Sequence, residues 1–287
     1  MEEDLIAATL GVLGFAVLAS VSGYWIGLHL APRATLTLFA AVILLASLYS
    51  SLVVGRLEIA TWVSSGTAIF TTNVTPVLIL FCVGLAWQLP SVKPRSLHVR
   101  FAALGAISVV FFFAPLIRPW LRPVVMDEPP RFEDGVCLQS HWATCAAAAA
   151  VTLLQNHGVN VSEGEMIQTC LTSCEGTEPL GLYRGLVKQT KSRSVTPRLA
   201  STDSSLWQAQ GMFPVLALVT FRDDVSGERG AMNRILGRHG DGHAIIVFGQ
   251  AANGDFMIGD PAFGRTVWDQ ATFCHRFSGQ GIYLAKR

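Results

Sequence analysis

Hydrophobic positions crowd the first 120 residues of this chain into four runs, at roughly 5–29, 33–54, 68–88 and 100–117. Each approaches the ~20 residues that cross the hydrocarbon core of a bilayer at a rise of 1.5 Å per residue. No charged side chain stands in the middle of any run. Further on, the pattern changes. Residues 145–156 form an alanine-rich helical stretch closed by His157 and Gly158, a C-cap pattern. Ser162 followed three positions later by Glu165 is a capping box for a second helix through about residue 171. Residues 176–190 read as a loop and a third helix. FPVLALVTF (213–221), HAIIVF (243–248) and Phe256–Ile258 then read as strands, with GQAANGD joining the last two as a hairpin around Asn253-Gly254. Between the first two, residues 222–241 are a polar, glycine-containing excursion.

Helices first and strands afterwards predict an α+β domain with a mostly antiparallel sheet. RPWLRPVVMDEPPRFEDG (118–135) holds four prolines and reads as a linker. The expected organisation is an all-α transmembrane bundle of four helices over 1–120, a linker over 121–136, and a soluble domain over 137–287.

Charge sharpens this division. Only 14% of the residues are charged, against a typical quarter. Residues 1–124 contain 4 acids and 7 bases, whereas residues 125–287 contain 16 acids and 14 bases. Such a balanced second half offers no basic surface for nucleic acid. The acidic start, MEED, and the length of the first run predict a retained helix and not a signal peptide. Arg33, Lys93, Arg95 and Arg100 collect in the loops of one side, which is therefore expected to be cytoplasmic. Both termini, and with them the soluble half, are then extracytoplasmic in a multi-pass protein of the plasma (inner) membrane. Trp25, Trp62, Trp87 and Trp120 lie near run ends or in a connecting loop, as an interfacial belt requires. Without a charged residue in the middle of any run there is no candidate ion or proton pathway. The bundle is expected to be an anchor in the lipid bilayer, or a surface for another membrane protein.

Candidate chemistry centres on CLQSHWATCAAAAAVTLLQNHG (137–158). Cys145 opens the helix, where unpaired N–H groups and the macrodipole favour a thiolate. Gln139, on the irregular segment before it, has an amide that could join the Cys145 backbone N–H in an oxyanion hole. His243 begins a strand, and Asp260 ends the next strand of the same hairpin, so the carboxylate could orient the imidazole. Alone, each residue has a plain structural reading: a small buried thiol, a histidine at a strand start, an Asp-Pro turn, a solvated glutamine. Together they suit nucleophilic thiol catalysis.

These residues resemble the C39 peptidase family, the papain-like cysteine proteases known as leader-cleaving domains of bacteriocin-exporting ABC transporters. The resemblance is carried by Gln139 and Cys145, by Gly176-Thr177 and Gly181-Leu182, by HAIIVFG from His243, and by GDFMIGDP through Asp260-Pro261. It covers about 137–287 and implies Cys145 as nucleophile, His243 as general base, Asp260 as orienting residue and Gln139 as oxyanion donor. Thr144 and Ala146 stand where the family usually has an acidic residue and a glycine. The chain has no GxxxxGK[ST] phosphate loop, and its peptidase-like part follows the membrane helices instead of preceding them.

Cys137, Cys170, Cys174 and Cys274 remain, an even number that two disulfides could absorb in an extracytoplasmic setting. Cys170 and Cys174 lack the second close pair of a zinc site, and the reading calls for no metal or cofactor. The expected activity is that of a membrane-anchored cysteine peptidase acting on a peptide or protein. A thiol acyl-transferase using the same residues and a catalytically silent peptide-binding module are the alternatives.

Overall fold

The computed structural model describes residues 3–53, 56–61, 74–88, 99, 103, 105–107, 118–126, 131–221 and 241–287. Trp62, the connection carrying Lys93, Arg95 and Arg100, most of the fourth apolar run, and the 222–241 excursion except Asp241 lie outside these residues. The chain divides into two compact units, one of residues 1–59 and 67–117, the other of residues 60–66 and 118–287.

In the first unit, α1 (Glu3–His29) and α2 (Pro32–Leu52) are long and apolar enough to cross a membrane. The third apolar run differs from expectation. Its described helix, α3 (Thr75–Ala86), has 12 residues and carries Pro76 in its first turn, where a missing N–H is tolerated. Twelve residues rise only ~18 Å, short of a ~30 Å hydrocarbon core. Two helices of spanning length are thus seen among the described residues where four were expected. α1 and α3 touch at glycines: a Cβ on Gly23 would meet the Phe81 carbonyl oxygen, and one on Gly84 the Ser20 carbonyl oxygen. Small residues permit such approach where lipid supplies no hydrophobic drive between helices.

The second unit is built on a six-stranded antiparallel sheet in the order β3-β8-β4-β5-β6-β7. Its strands are β3 (Val195–Leu199), β4 (Val215–Phe221), β5 (Asp241–Gln250), β6 (Phe256–Asp260), β7 (Gly264–Trp268) and β8 (Phe277–Lys286). A separate hairpin, β1 (Arg131–Glu133) with β2 (Val136–Leu138), forms where the sequence suggests linker. Its turn is Asp134-Gly135, both with positive φ, which is the primed geometry that suits the twist of tightly joined strands. The turn dipeptide outweighs the nearby prolines.

Before the sheet come α4 (Cys145–Gln155), α5 (Glu163–Thr169) and α6 (Pro179–Thr190), and α7 (Gln270–Arg276) precedes the last strand. α4 ends one residue earlier than the pattern suggests, with Gly158 left-handed and the Val159 N–H donating to the Leu154 carbonyl. The Ser162–Glu165 capping box is present in full. α4 lies against β5, and residues 146–154 of it are all buried. Alanines let the helix axis come close to the sheet, as no longer side chain would. On the sheet, Trp207, Phe256, Phe273, Ile245 and Val219 form a buried cluster, and the Trp207 indole N–H donates to the Ser201 carbonyl at 2.7 Å.

Ala148 has no exposed surface. Ala148→Leu should overpack this contact and cost ~1–3 kcal/mol, a fall of a few degrees in the melting temperature, measurable by scanning fluorimetry on the full-length protein. Leu at exposed Gln155, on the same helix, should leave it unchanged.

Candidate active site

Each candidate residue is positioned by a different local device. Cys145 follows a turn closed on itself: the Thr144 N–H and hydroxyl both donate to the His141 carbonyl (3.0 and 2.8 Å), and the His141 N–H donates to Thr144 Oγ1 (3.2 Å). The Ala143 N–H donates to His141 Nδ1 at 3.1 Å. Thr144 is the N-cap residue, and its carbonyl accepts the first helical bond, from Ala148. The turn therefore delivers a partly exposed thiol at the first residue of an otherwise buried helix.

His243 sits on β5 opposite Val219 of β4, near the start of the strand. Its Nε2 lies 2.8 Å from Asp260 Oδ1. The carboxylate is buried at the end of β6 and is fixed further by the Ala262 N–H, which donates to the same oxygen at 2.9 Å. The Cys145 thiol lies on the same imidazole, close enough to raise its pKa by hydrogen bonding and by charge. With Nε2 engaged by Asp260, Nδ1 is the ring nitrogen left for the sulfur. The Phe221 ring packs beside the imidazole at 5.8 Å, and the Arg276 guanidinium lies 4.8 Å over both Phe221 and Trp268.

Burial disfavours charge on His243 and is the largest single influence on it. The hydrogen bonds to Asp260 and then Cys145, with the charges of both, outweigh it and raise the imidazole from 6.5 to about 9. The ring is accordingly an imidazolium at neutral pH.

Gln139 joins the group through its backbone. Its N–H donates to the carbonyl of Pro261, the residue after Asp260, at 2.8 Å. Its Oε1 is buried without a hydrogen-bond partner among the described residues. The structure thus brings Cys145, His243 and Asp260 into one hydrogen-bonded row and ties the Gln139 segment to the end of it. Two contributors were not legible in the sequence. Thr144 reads as an ordinary cap, and Glu163, which is fully buried and accepts the Ser140 N–H at 3.0 Å, reads as an exposed acid in a first helical turn.

The cysteine pairing raised by the sequence is absent: all six cysteines are free. Cys137 and Cys170 are fully buried, and burial pushes both thiols up to about 12. Disulfides consequently lend no support to an extracytoplasmic setting.

No family model matches the chain, and no curated protein matches it. Similar solved structures are C39 peptidase domains of transporters. The peptidase domain of Streptococcus ComA, a bi-functional ABC transporter involved in quorum sensing, is 20% identical at a TM-score of 0.40, covering 55% of this chain and 97% of that one. A double glycine motif protease from an AMS/PCAT transporter, solved in complex with the leader peptide, is 17% identical at a TM-score of 0.41, covering 53% and 91%. The N-terminal peptidase C39 like domain of a toxin secretion ATP-binding protein from Vibrio parahaemolyticus is 7% identical at 0.37, covering 50% and 97%.

Because His243 is held above its unfolded value, its contribution to stability is complete below pH 6.5 and is lost as pH rises through about 9. The full swing is on the order of 3 kcal/mol. Denaturation midpoints at pH 6 and pH 9.5 should therefore differ in the wild type, and Asp260→Asn should shrink the difference. Equal differences in the two proteins would show that Asp260 does not hold the proton on the ring.

Proposed function

We propose that the chain is a membrane-anchored cysteine peptidase cleaving a peptide or protein on the extracytoplasmic side of the plasma (inner) membrane. The observation that carries this reading is the imidazole of His243 shared between Asp260, at 2.8 Å, and the Cys145 thiol. A proton held on that ring at neutral pH is what a nucleophilic thiolate and a protonated leaving amine both require.

In this mechanism the Cys145 sulfur attacks the scissile carbonyl, and its carbon–sulfur bond forms as the carbonyl oxygen takes up negative charge. The Gln139 amide and the Cys145 backbone N–H stabilise that oxygen. Collapse expels the amine, which leaves with the proton of His243. The neutral imidazole then takes a proton from water attacking the thioester, and a second collapse releases the acid and restores the thiolate beside the imidazolium. Asp260 stays ionised and keeps the ring oriented.

The anchor consists of α1 and α2, both apolar enough to span, which makes it multi-pass. The outward orientation rests on Arg33, Lys93, Arg95 and Arg100 marking the cytoplasmic side.

Cys145→Ala should abolish hydrolysis of a peptide library by the purified full-length protein. Gln139→Ala should lower kcat ~10²–10³-fold with KM nearly unchanged. On intact cells, a membrane-impermeant thiol probe should label the wild type more than Cys145→Ala. Hydrolysis that survives Cys145→Ala would overturn the mechanism, and labelling seen only after permeabilisation would overturn the orientation alone. If an added amine captures the acyl group in place of water, the enzyme is a transferase built on the same residues.

A further inference from the structure

The segment before the nucleophile is held by three backbone bonds, each from a different part of the chain. The Cys137 N–H donates to Thr152 Oγ1 on α4 at 2.9 Å. The Gln139 N–H donates to the Pro261 carbonyl at 2.8 Å, and the Ser140 N–H donates to Glu163 Oε1 at 3.0 Å. The second and third grip the two peptide planes on either side of the Gln139 Cα. With both planes fixed, the backbone dihedrals of Gln139 are fixed, and so is the direction of its Cα–Cβ bond.

Glu163 is an expensive way to supply one acceptor. Its side chain has no solvent exposure, and Oε2 has no hydrogen-bond partner among the described residues. Ser140 Oγ and Gln139 Oε1 are buried and unpartnered in the same sense. Each such atom costs ~1–3 kcal/mol, and native folds keep few of them. Three in one neighbourhood mark a place where arrangement has been kept at the expense of stability.

We infer that Glu163 is a positioning residue for the Gln139 amide: by holding the Ser140 N–H it aims the oxyanion donor at the carbonyl oxygen attacked by Cys145. The inference rests on the peptidase reading above. What positioning demands of residue 163 is reach and an acceptor oxygen, not charge. A displacement of ~1 Å in such a donor costs on the order of 100-fold in rate.

Three variants of the full-length protein separate the possibilities, with kcat, KM and the rate of Cys145 alkylation by iodoacetamide measured for each. Glu163→Gln keeps length and acceptor, and should stay within ~3-fold of wild-type kcat. Glu163→Asp keeps the charge but withdraws the oxygen by one methylene. Glu163→Asp and Glu163→Leu should each lower kcat on the order of 100-fold, with KM and alkylation rate unchanged, since alkylation creates no oxyanion. Combining Glu163→Asp with Gln139→Ala should lose little beyond Gln139→Ala alone. Should Glu163→Leu fail to fold, Glu163→Asp and Glu163→Gln still decide. Full activity in Glu163→Asp with loss in Glu163→Gln would make the charge the essential feature and overturn the inference. Parallel loss of kcat and alkylation in a folded Glu163→Asp protein would make Glu163 a general structural residue and overturn it too. A wild type whose hydrolysis does not depend on Cys145 removes the peptidase reading itself, and the inference with it.

Discussion

A sulfur atom at the end of a helix can share a proton with an imidazole on a strand only if the helix axis comes unusually close to the sheet. α4 meets this constraint with alanine. Residues 146–150 are all alanine and all buried, so β5 approaches until the first residue of the helix stands beside the third residue of the strand. Much else answers to that contact. The Thr144–His141 turn presents the thiol at the helix end, and β6 brings a carboxylate to the far side of the ring. A larger side chain on the buried face would move the whole row apart, although no member of it had been altered.

Within the row, burial and charge oppose one another. Desolvation works against an imidazolium on His243, and the two neighbours that reverse this are its hydrogen-bond partners. Asp260 is committed to the task, since its inner oxygen also accepts the Ala262 N–H. Such a group orients more than it reacts. The aromatic wall of Phe221, backed by Arg276, keeps water from one side of the ring and strengthens the electrostatic contacts inside.

Much of this was legible in the chain. The alanine helix, the capping box, the β5–β6 hairpin and the ends that meet across it all follow from local pattern. Three strands of the six-stranded sheet were not. β3 and β7 are the two edges of the sheet; β3 carries Pro197, tolerable only at an edge, and β7 has three consecutive exposed residues and too few apolar ones to register. β8 is broken in pattern by Gly279 and Gly281, yet lies inside the sheet. Asp134-Gly135 was hidden among prolines that argue for a linker. Glu163 could not be read at all, because an acid at a first helical turn is favourable in water and nothing nearby in sequence announces that this one faces inward. Local pattern reports propensity; burial of a single polar atom is decided by segments far apart in the chain.

The three bonds on the Cys137–Ser140 segment have a consequence for the order in which the protein becomes competent. Their partners, Thr152, Glu163 and Pro261, are met at widely separated moments as the chain emerges. Cys145 and its helix are synthesised early, but the His243 imidazole, the Asp260 carboxylate and the acceptor of the Gln139 N–H arrive only with β5 and β6. A half-made chain thus carries the Cys145 thiol without the two side chains that are later lined up behind it.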